Sequence, residues 1–150
     1  MHKNVLIRVK GTQFQDNESE VTELITTGSC YEKNGKTYIL YEEVSDESMR
    51  TTKNTIKLYD NKAELIRRGE SSVNIIFDAG VKWDSYYMTP MGNLKMTFHT
   101  KSILINTDIE GCISVIIKYE ILADCRSVAD YLMEITVTET VLEAFDEADK

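Results

Sequence analysis

Adjacent pairs of like charges at two places in the chain are the residues best suited to a polar binding site. Glu42 and Glu43 form one pair, and Arg67 and Arg68 form the other. Because side chains alternate between two faces along a β-strand, one member of each pair should point inward if both segments are strands. An inward glutamate, an inward arginine and hydroxyl groups could orient the polar head of a small molecule while apolar residues hold its body. The residues that we expect to bind this ligand are Glu43, Arg68, Tyr87 and Thr89.

Two other interpretations of these charged residues remain open. An internal glutamate–arginine pair can satisfy itself, or both side chains can reach solvent at the ends of the strands, and neither case requires a ligand. Catalysis is a third hypothesis, and it would be favoured only if Glu43 acted as a perturbed acid in a cleft.

Sequence signals for catalysis and metal binding are absent. The two histidines, His2 and His99, do not form a His-x-His pair, and His99 follows Lys95 and Thr97 on the polar face of an alternating run. No Gly-x-Ser-x-Gly element and no phosphate-binding glycine loop occurs in the chain. We therefore expect a protein that is not an enzyme and that uses no metal and no cofactor. Three cysteines without Cys-x-x-Cys spacing are expected to be structural thiols, namely Cys30, Cys112 and Cys125.

The overall charge argues against two classes of partner. The chain has 17 basic and 25 acidic residues and a formal net charge of -8. This excess of acid opposes binding to a phosphate backbone or to an anionic lipid surface, so we expect no nucleic acid and no membrane partner. No apolar run is long enough for a secretory signal or a membrane-spanning helix. We therefore expect a cytoplasmic protein.

Apolar residues at every second position are the main structural signal. The clearest example runs from Ile113 to Ile121, and shorter examples begin at Val5 and at Leu94. This alternation is typical of β-strands that are buried on one face. Turn residues separate the runs, and Asn34-Gly35 is the strongest of these signals because both central residues of a type I′ turn need positive φ.

The alternation of strands and short turns predicts a single all-β domain over residues 1–150. We expect about eight to ten antiparallel strands in an up-and-down barrel, since a Greek-key sandwich would need a long crossing connection. A C-terminal helix is the local alternative, but the β-branched run Ile135–Val141 favours a strand to about Val141. Residues 143–150 would then form an acidic tail that is disordered or briefly helical.

The segment Thr89-Pro90-Met91-Gly92 predicts a type I turn, because proline supplies the φ of the second position and glycine suits the fourth. The same segment carries a resemblance to a known family. Tyr87-x-Thr89-Pro90-x-Gly92, with Arg68-Gly69 and Tyr41-Glu42-Glu43 upstream, resembles the YwiB-like family of small bacterial proteins over essentially the full length.

The resemblance implies a fold and no activity. The family consists of domains of unknown function, and its closed β-barrel is grouped with the calycins, alongside the lipocalins and the fatty-acid-binding proteins. The early Gly-x-Trp signature of true lipocalins is missing, since the one tryptophan, Trp83, lies past the middle of the chain. Lipocalin-like transport is therefore not implied, and the best hypothesis is a non-enzymatic, calycin-like barrel that binds a small molecule.

Apolar residues on the otherwise polar phase of several strands support a second hypothesis. If these residues are contiguous on the outer surface, they could form the interface of a protein-interaction module or of a homodimer. They are Leu6, Leu40, Ile66, Ile76, Leu104, Ile116 and Leu122.

Overall fold

The computed structural model describes residues 3–45, 49–69, 72–123 and 126–140. Within these ranges every regular element is a β-strand, so the predicted all-β class is confirmed, with a strand count at the upper end of the expected range. The ten strands are β1 (Lys3–Gln15), β2 (Glu18–Lys33), β3 (Lys36–Val44), β4 (Thr51–Tyr59), β5 (Lys62–Arg68), β6 (Val73–Phe77), β7 (Lys82–Thr89), β8 (Gly92–Asn106), β9 (Cys112–Ala123) and β10 (Arg126–Glu139).

The strands form one antiparallel sheet in the order β6-β5-β4-β3-β2-β1-β10-β9-β8-β7. Each strand pairs with its neighbour in the chain, and the first and last strands also pair with each other, from Val5 opposite Glu139 to Phe14 opposite Asp130. The sheet curls until its two edge strands, β6 and β7, come together at the bridge between Ser72 and Met88. The predicted up-and-down barrel is therefore confirmed, and its closure is nearly complete.

The junction between β6 and β7 has little backbone pairing and is supplemented by side-chain hydrogen bonds, and we call it the seam. Among the described residues, backbone pairing is limited to Ser72 and Met88, whose N–H groups and carbonyls exchange two bonds of 3.1 Å. Beyond this bridge, two side chains of β7 donate to a single carbonyl of β6. The indole Nε1–H of Trp83 lies 3.0 Å from the carbonyl oxygen of Asn74, and the hydroxyl of Ser85 lies 2.9 Å from the same atom.

Short turns connect most of the strands, as the sequence predicts. Asn34 and Gly35 have φ values of 53° and 77°, which confirms the type I′ hairpin between β2 and β3. A second such hairpin, at Asp16 and Asn17 with φ of 51° and 66°, joins β1 to β2 and was not predicted. Pro90 and Met91 form the predicted turn between β7 and β8.

The inward phase of the strands fills the middle of the barrel. Four core residues that are almost completely buried lie between the two ends of the barrel, and we call them the plug: Ile7, Ile39, Val115 and Ile117. Two cavities lie in opposite ends of the barrel, on either side of the plug. The C-terminal residues follow the strand prediction rather than the helical alternative, since β10 continues to Glu139. Val141 and the predicted tail 143–150 lie outside the described residues.

Candidate functional site

A cavity of about 410 Å³ occupies the end of the barrel at which β3 and β5 finish and the β1–β2 hairpin lies. Its body is apolar because these strands alternate, which brings every second residue to the interior. The apolar and aromatic part of the lining consists of Val9, Leu24, Tyr41, Ile56, Ala63, Leu65, Phe77, Ile117, Tyr119, Tyr131, Met133 and Ile135.

A polar group stands on this apolar wall, built from three adjacent strands. Tyr41 of β3, Asn54 of β4 and Arg67 of β5 are directly paired in register, and Glu43 follows Tyr41 on the same face. Asn54 Nδ2 donates to Glu43 Oε1 at 3.0 Å, while Arg67 Nη2 lies 3.9 Å from the same oxygen. Glu43 is thus held firmly by an amide and only loosely by a guanidinium, and we call Tyr41, Glu43, Asn54 and Arg67 the polar row.

Asn54 is the deepest member of the polar row. It is 1% exposed, and within the described part of the chain its buried Oδ1 has no hydrogen-bond partner. A buried acceptor without a partner lowers the stability of the folded state. Packing alone therefore does not explain why Asn54 occupies this position.

Burial changes the acidity of the tyrosine in the polar row. Burial, followed by the negative charge of Glu43, raises the pKa of the Tyr41 hydroxyl to about 12, against the smaller opposing effect of Arg67. The hydroxyl therefore stays protonated at neutral pH and can donate a hydrogen bond inside the cavity.

The four predicted ligand-binding residues have different positions in the structure. Glu43 lines the cavity, as expected. Arg68 does not: it is exposed on the outer phase of β5, and its neighbour Arg67 takes the inward position. One member of each charged pair does point inward, as predicted, but for the arginines it is Arg67 and not Arg68.

Tyr87 and Thr89 lie in β7, where they pair with Leu94 and Gly92 of β8. Strand β7 finishes at the same end of the barrel as β3 and β5, so their backbones lie at the end that holds the cavity. The structure describes only the backbone of these two residues, and their role in binding stays a prediction.

Sequence reasoning missed several polar residues at the mouth of the cavity. Gln13, Glu20 and Thr22, from both arms of the β1–β2 hairpin, line it. Burial, and secondarily the charge of Glu20, raises the pKa of Tyr131, whose ring stacks on Tyr119 with centroids 5.2 Å apart. The unpredicted hairpin at Asp16 and Asn17 is what brings these residues to the mouth.

The second cavity, of about 600 Å³, lies at the opposite end of the barrel. Lys3 and Glu139 form an ion pair of 2.7 Å on its rim, and Cys30 and Cys112 contribute to its lining. Burial, followed by the charge of Glu32, raises the pKa of the Cys30 thiol. Cys125 lies outside the described residues, and a structural role for all three thiols stays a prediction.

The described part of the chain contains neither a cluster of metal ligands nor a helix that could span a membrane. Among residues 3–45, 49–69, 72–123 and 126–140, no three side chains of histidine, cysteine, aspartate or glutamate are grouped so that they could hold a metal ion. Over the same ranges there is no helix of the length and apolarity needed to cross a membrane.

Comparison with known proteins identifies the family. The family described as "Domain of unknown function (DUF1934)" matches residues 7–135. The chain belongs to this family. The chain is also similar to the "Uncharacterized beta-barrel protein YwiB" of Bacillus subtilis (strain 168), with 31% identity over 112 residues, which are 74% of this chain and 78% of that protein.

A solved structure supports the same assignment. The crystal structure of the ywiB protein from Bacillus subtilis superposes with a TM-score of 0.83 at 26% sequence identity, and the match covers 93% of this chain and 94% of that chain. The resemblance to the YwiB-like family is therefore confirmed. The function of this DUF1934 protein is unknown, and the names of the family and of the relatives indicate no catalytic activity.

Proposed function

We propose that this protein binds a small molecule in the cavity that contains the polar row. The observation that carries the proposal is a cavity of about 410 Å³ with an apolar wall and a glutamate–arginine pair on one side. This volume lies within the range of roughly 300–1,000 Å³ that is usual for ligand pockets, and a few polar groups on an apolar wall are their usual lining.

The state of the polar groups supports a ligand over a self-sufficient ion pair. A buried salt bridge that satisfies itself needs short, well-directed contacts, because removing charges from water is costly. Arg67 and Glu43 are 3.9 Å apart and both side chains are only partly buried, so donors and acceptors remain free for another molecule. In addition, Oδ1 of Asn54 has no partner among the described residues, so the polar row does not satisfy all of its own hydrogen-bonding groups.

The proposal includes two further statements about the protein. It acts by binding, without catalysing a reaction, which agrees with names of relatives that state a fold and no reaction. It works in the cytoplasm, which fractionation of cells that express it would test. We propose that binding is calycin-like, with the ligand inside the barrel that the strands form.

Two neighbouring residues of β2 provide a direct test. Leu24 points into the cavity, while Ile25 is 59% exposed on the outer face. Leu24→Phe should fill part of the cavity and remove a ligand that co-purifies with the protein and is detected by native mass spectrometry. Ile25→Phe adds the same ring outside and should leave the ligand in place. If no small molecule co-purifies and none in a broad thermal-shift screen raises Tm for the wild type, the proposal is wrong.

The alternative of a homodimer or another protein partner stays a prediction. Of the seven outer-phase residues, Leu104 is the most exposed at 61%, and it pairs with the half-buried Ile116 on β9. Sedimentation at micromolar concentration would show whether the chain associates with itself.

A further inference from the structure

We propose that the ligand of the barrel cavity is an organic cation, namely an amine carried on a compact apolar body. This inference rests on the proposed function and adds the charge class of the ligand. Its basis is the set of charged groups in the cavity lining, which contains more carboxylates than cations. The charged residues of the lining are Glu20, Glu23, Glu43 and Arg67.

One of the three carboxylates is already neutralised. Arg8 donates from Nε at 2.8 Å and from Nη2 at 2.6 Å to Glu23 Oε2. Glu20, Glu43 and Arg67 remain, which gives the lining a net charge of two negative groups minus one positive group, or -1. In the described ranges no cation forms an ion pair with Glu20. An entering cation would therefore complete the charge balance of the cavity.

The geometry around Glu43 leaves an acceptor for an ammonium group. Asn54 and Arg67 both contact Oε1, and among the described residues no side-chain hydrogen bond or ion pair involves Oε2. An ammonium that donates to a carboxylate forms a charge-assisted hydrogen bond, which is about twice as strong as a neutral one. Asn54 acts as a positioning residue in this arrangement, because its buried amide fixes the carboxylate that the ligand contacts.

Aromatic rings surround the same space. Tyr41, Phe77, Tyr119 and Tyr131 all line the cavity, and Tyr119 contacts both Phe77 and Tyr131 at centroid distances of 4.9 and 5.2 Å. The faces of aromatic rings attract cations within about 6 Å, and this attraction is stronger where water is excluded. The net charge of -8 for the whole chain also raises the local concentration of cations.

An anionic ligand would be repelled by a carboxylate at both steps of binding. To reach Arg67 it would pass Glu20 at the mouth, and it would then lie beside Glu43, whose Oε1 is 3.9 Å from the same guanidinium. Like charges at such distances repel each other strongly in a partly dry cavity. Ligands that carry a carboxylate are therefore the alternative that an experiment must exclude.

Three probes with the same aromatic body and different charges test the inference. Isothermal titration calorimetry at low salt would compare tryptamine, 3-ethylindole and indole-3-propionate with the full chain. We expect tryptamine to bind at least tenfold more tightly than the other two. If indole-3-propionate binds as tightly as tryptamine, or if tryptamine shows no binding at millimolar concentration, the cationic class is wrong. The co-purification test of the proposed function stands independently of this result.

Sequence neighbours on opposite faces provide matched controls. Glu43→Gln keeps an oxygen for Asn54 and should weaken tryptamine binding at least tenfold, whereas Glu42→Gln on the outer face should not change it. Arg67→Met should strengthen tryptamine binding, and Arg68→Met should have no effect. Equal effects of the inner and outer variants would overturn the inference.

A rim variant decides the question if the Glu43 variant does not fold. Glu20 lies on the exposed mouth of the cavity, so Glu20→Gln should fold normally and should weaken tryptamine binding about threefold. Unchanged binding by this variant would contradict the proposal.

Discussion

At the scale of single residues, Tyr41 connects the packing of the barrel to its chemistry. The ring is buried against the core, while the hydroxyl belongs to the polar row beside Glu43. Burial in this position opposes ionisation, because the phenolate would lose water and would lie next to a carboxylate. The folded state therefore holds the phenol proton more tightly than the unfolded chain does.

This difference predicts a loss of stability at alkaline pH. The pKa of Tyr41 is about 12 in the folded protein and 10 in the reference state, so its contribution is complete below pH 10 and is lost as the pH rises towards 12. The size of the effect is roughly 2 to 3 kcal/mol. Urea unfolding from pH 9 to 12 should show this extra loss in the wild type and not in Tyr41→Phe.

An exposed tyrosine is the control for that experiment. Tyr86 is 57% exposed on β7, so Tyr86→Phe should follow the wild type across the pH range. Parallel curves for the wild type and Tyr41→Phe would show that the hydroxyl is not buried as described.

The position of the acidic partner in the polar row could be predicted, but its basic partner could not be identified by the same reasoning. Glu43 follows Tyr41 on the inward phase of an alternating strand, which the sequence shows clearly. For the arginines, the outward phase of Ile66 was a usable signal, because Arg68 shares that phase and Arg67 does not. Asn54 was missed, although it precedes Ile56 and Leu58 on their apolar phase. The sequence does not show which residue a single polar side chain in an apolar run would bond.

At the scale of elements, the seam is the weakest junction of the barrel. In the described ranges, nine pairs of strands share ladders of at least five residue pairs, whereas β6 and β7 are joined by one backbone bridge and two side-chain bonds to the carbonyl of Asn74. With five residues, β6 is also the shortest strand. Elements with few backbone bonds open locally at low free-energy cost.

Removing a side-chain bond at the seam should increase that opening. Ser85→Ala leaves the Asn74 carbonyl with one donor fewer and should cost about 1 kcal/mol. Hydrogen exchange followed by mass spectrometry should show faster exchange in peptides from β6 and unchanged exchange in β1 and β2.

The control for the seam removes a hydroxyl hydrogen bond on the surface. Thr97 donates to Asp84 at 2.7 Å on the exposed side of β7 and β8. Thr97→Val should leave exchange in β6 unchanged. If both variants behave alike, the side-chain bonds do not hold the seam.

The elements were easier to predict from the sequence than the way they close. Alternation and turn residues predicted most strands, because apolar side chains recur at every second residue of a strand that is buried on one face. The hairpin at Asp16 and Asn17 was missed, since the polar residues around it show no apolar alternation. The seam could not be predicted, because the contact of Trp83 and Ser85 with Asn74 depends on how the whole sheet curls.

At the scale of the whole molecule, nearly all strand pairing is between neighbours in the chain. The exception is the ladder between β1 and β10, which pairs Val5 with Glu139 and joins the two halves of the chain into one ten-stranded sheet. The family resemblance and the short connections predicted this architecture correctly. The volume left on each side of the plug could not be predicted, because it depends on the sizes of side chains from strands that are distant in the sequence.

The ladder between β1 and β10 also determines how the molecule should respond to mechanical force. The start of β1 lies beside the end of β10, where Thr140 N–H donates to the Asn4 carbonyl at 3.1 Å. Tension applied at residues 3 and 140 would load the bonds of this ladder one after another, whereas tension at residues 3 and 126 would load many of them together. In optical tweezers, the first geometry should therefore rupture at the lower force, and equal rupture forces would mean that another junction yields first.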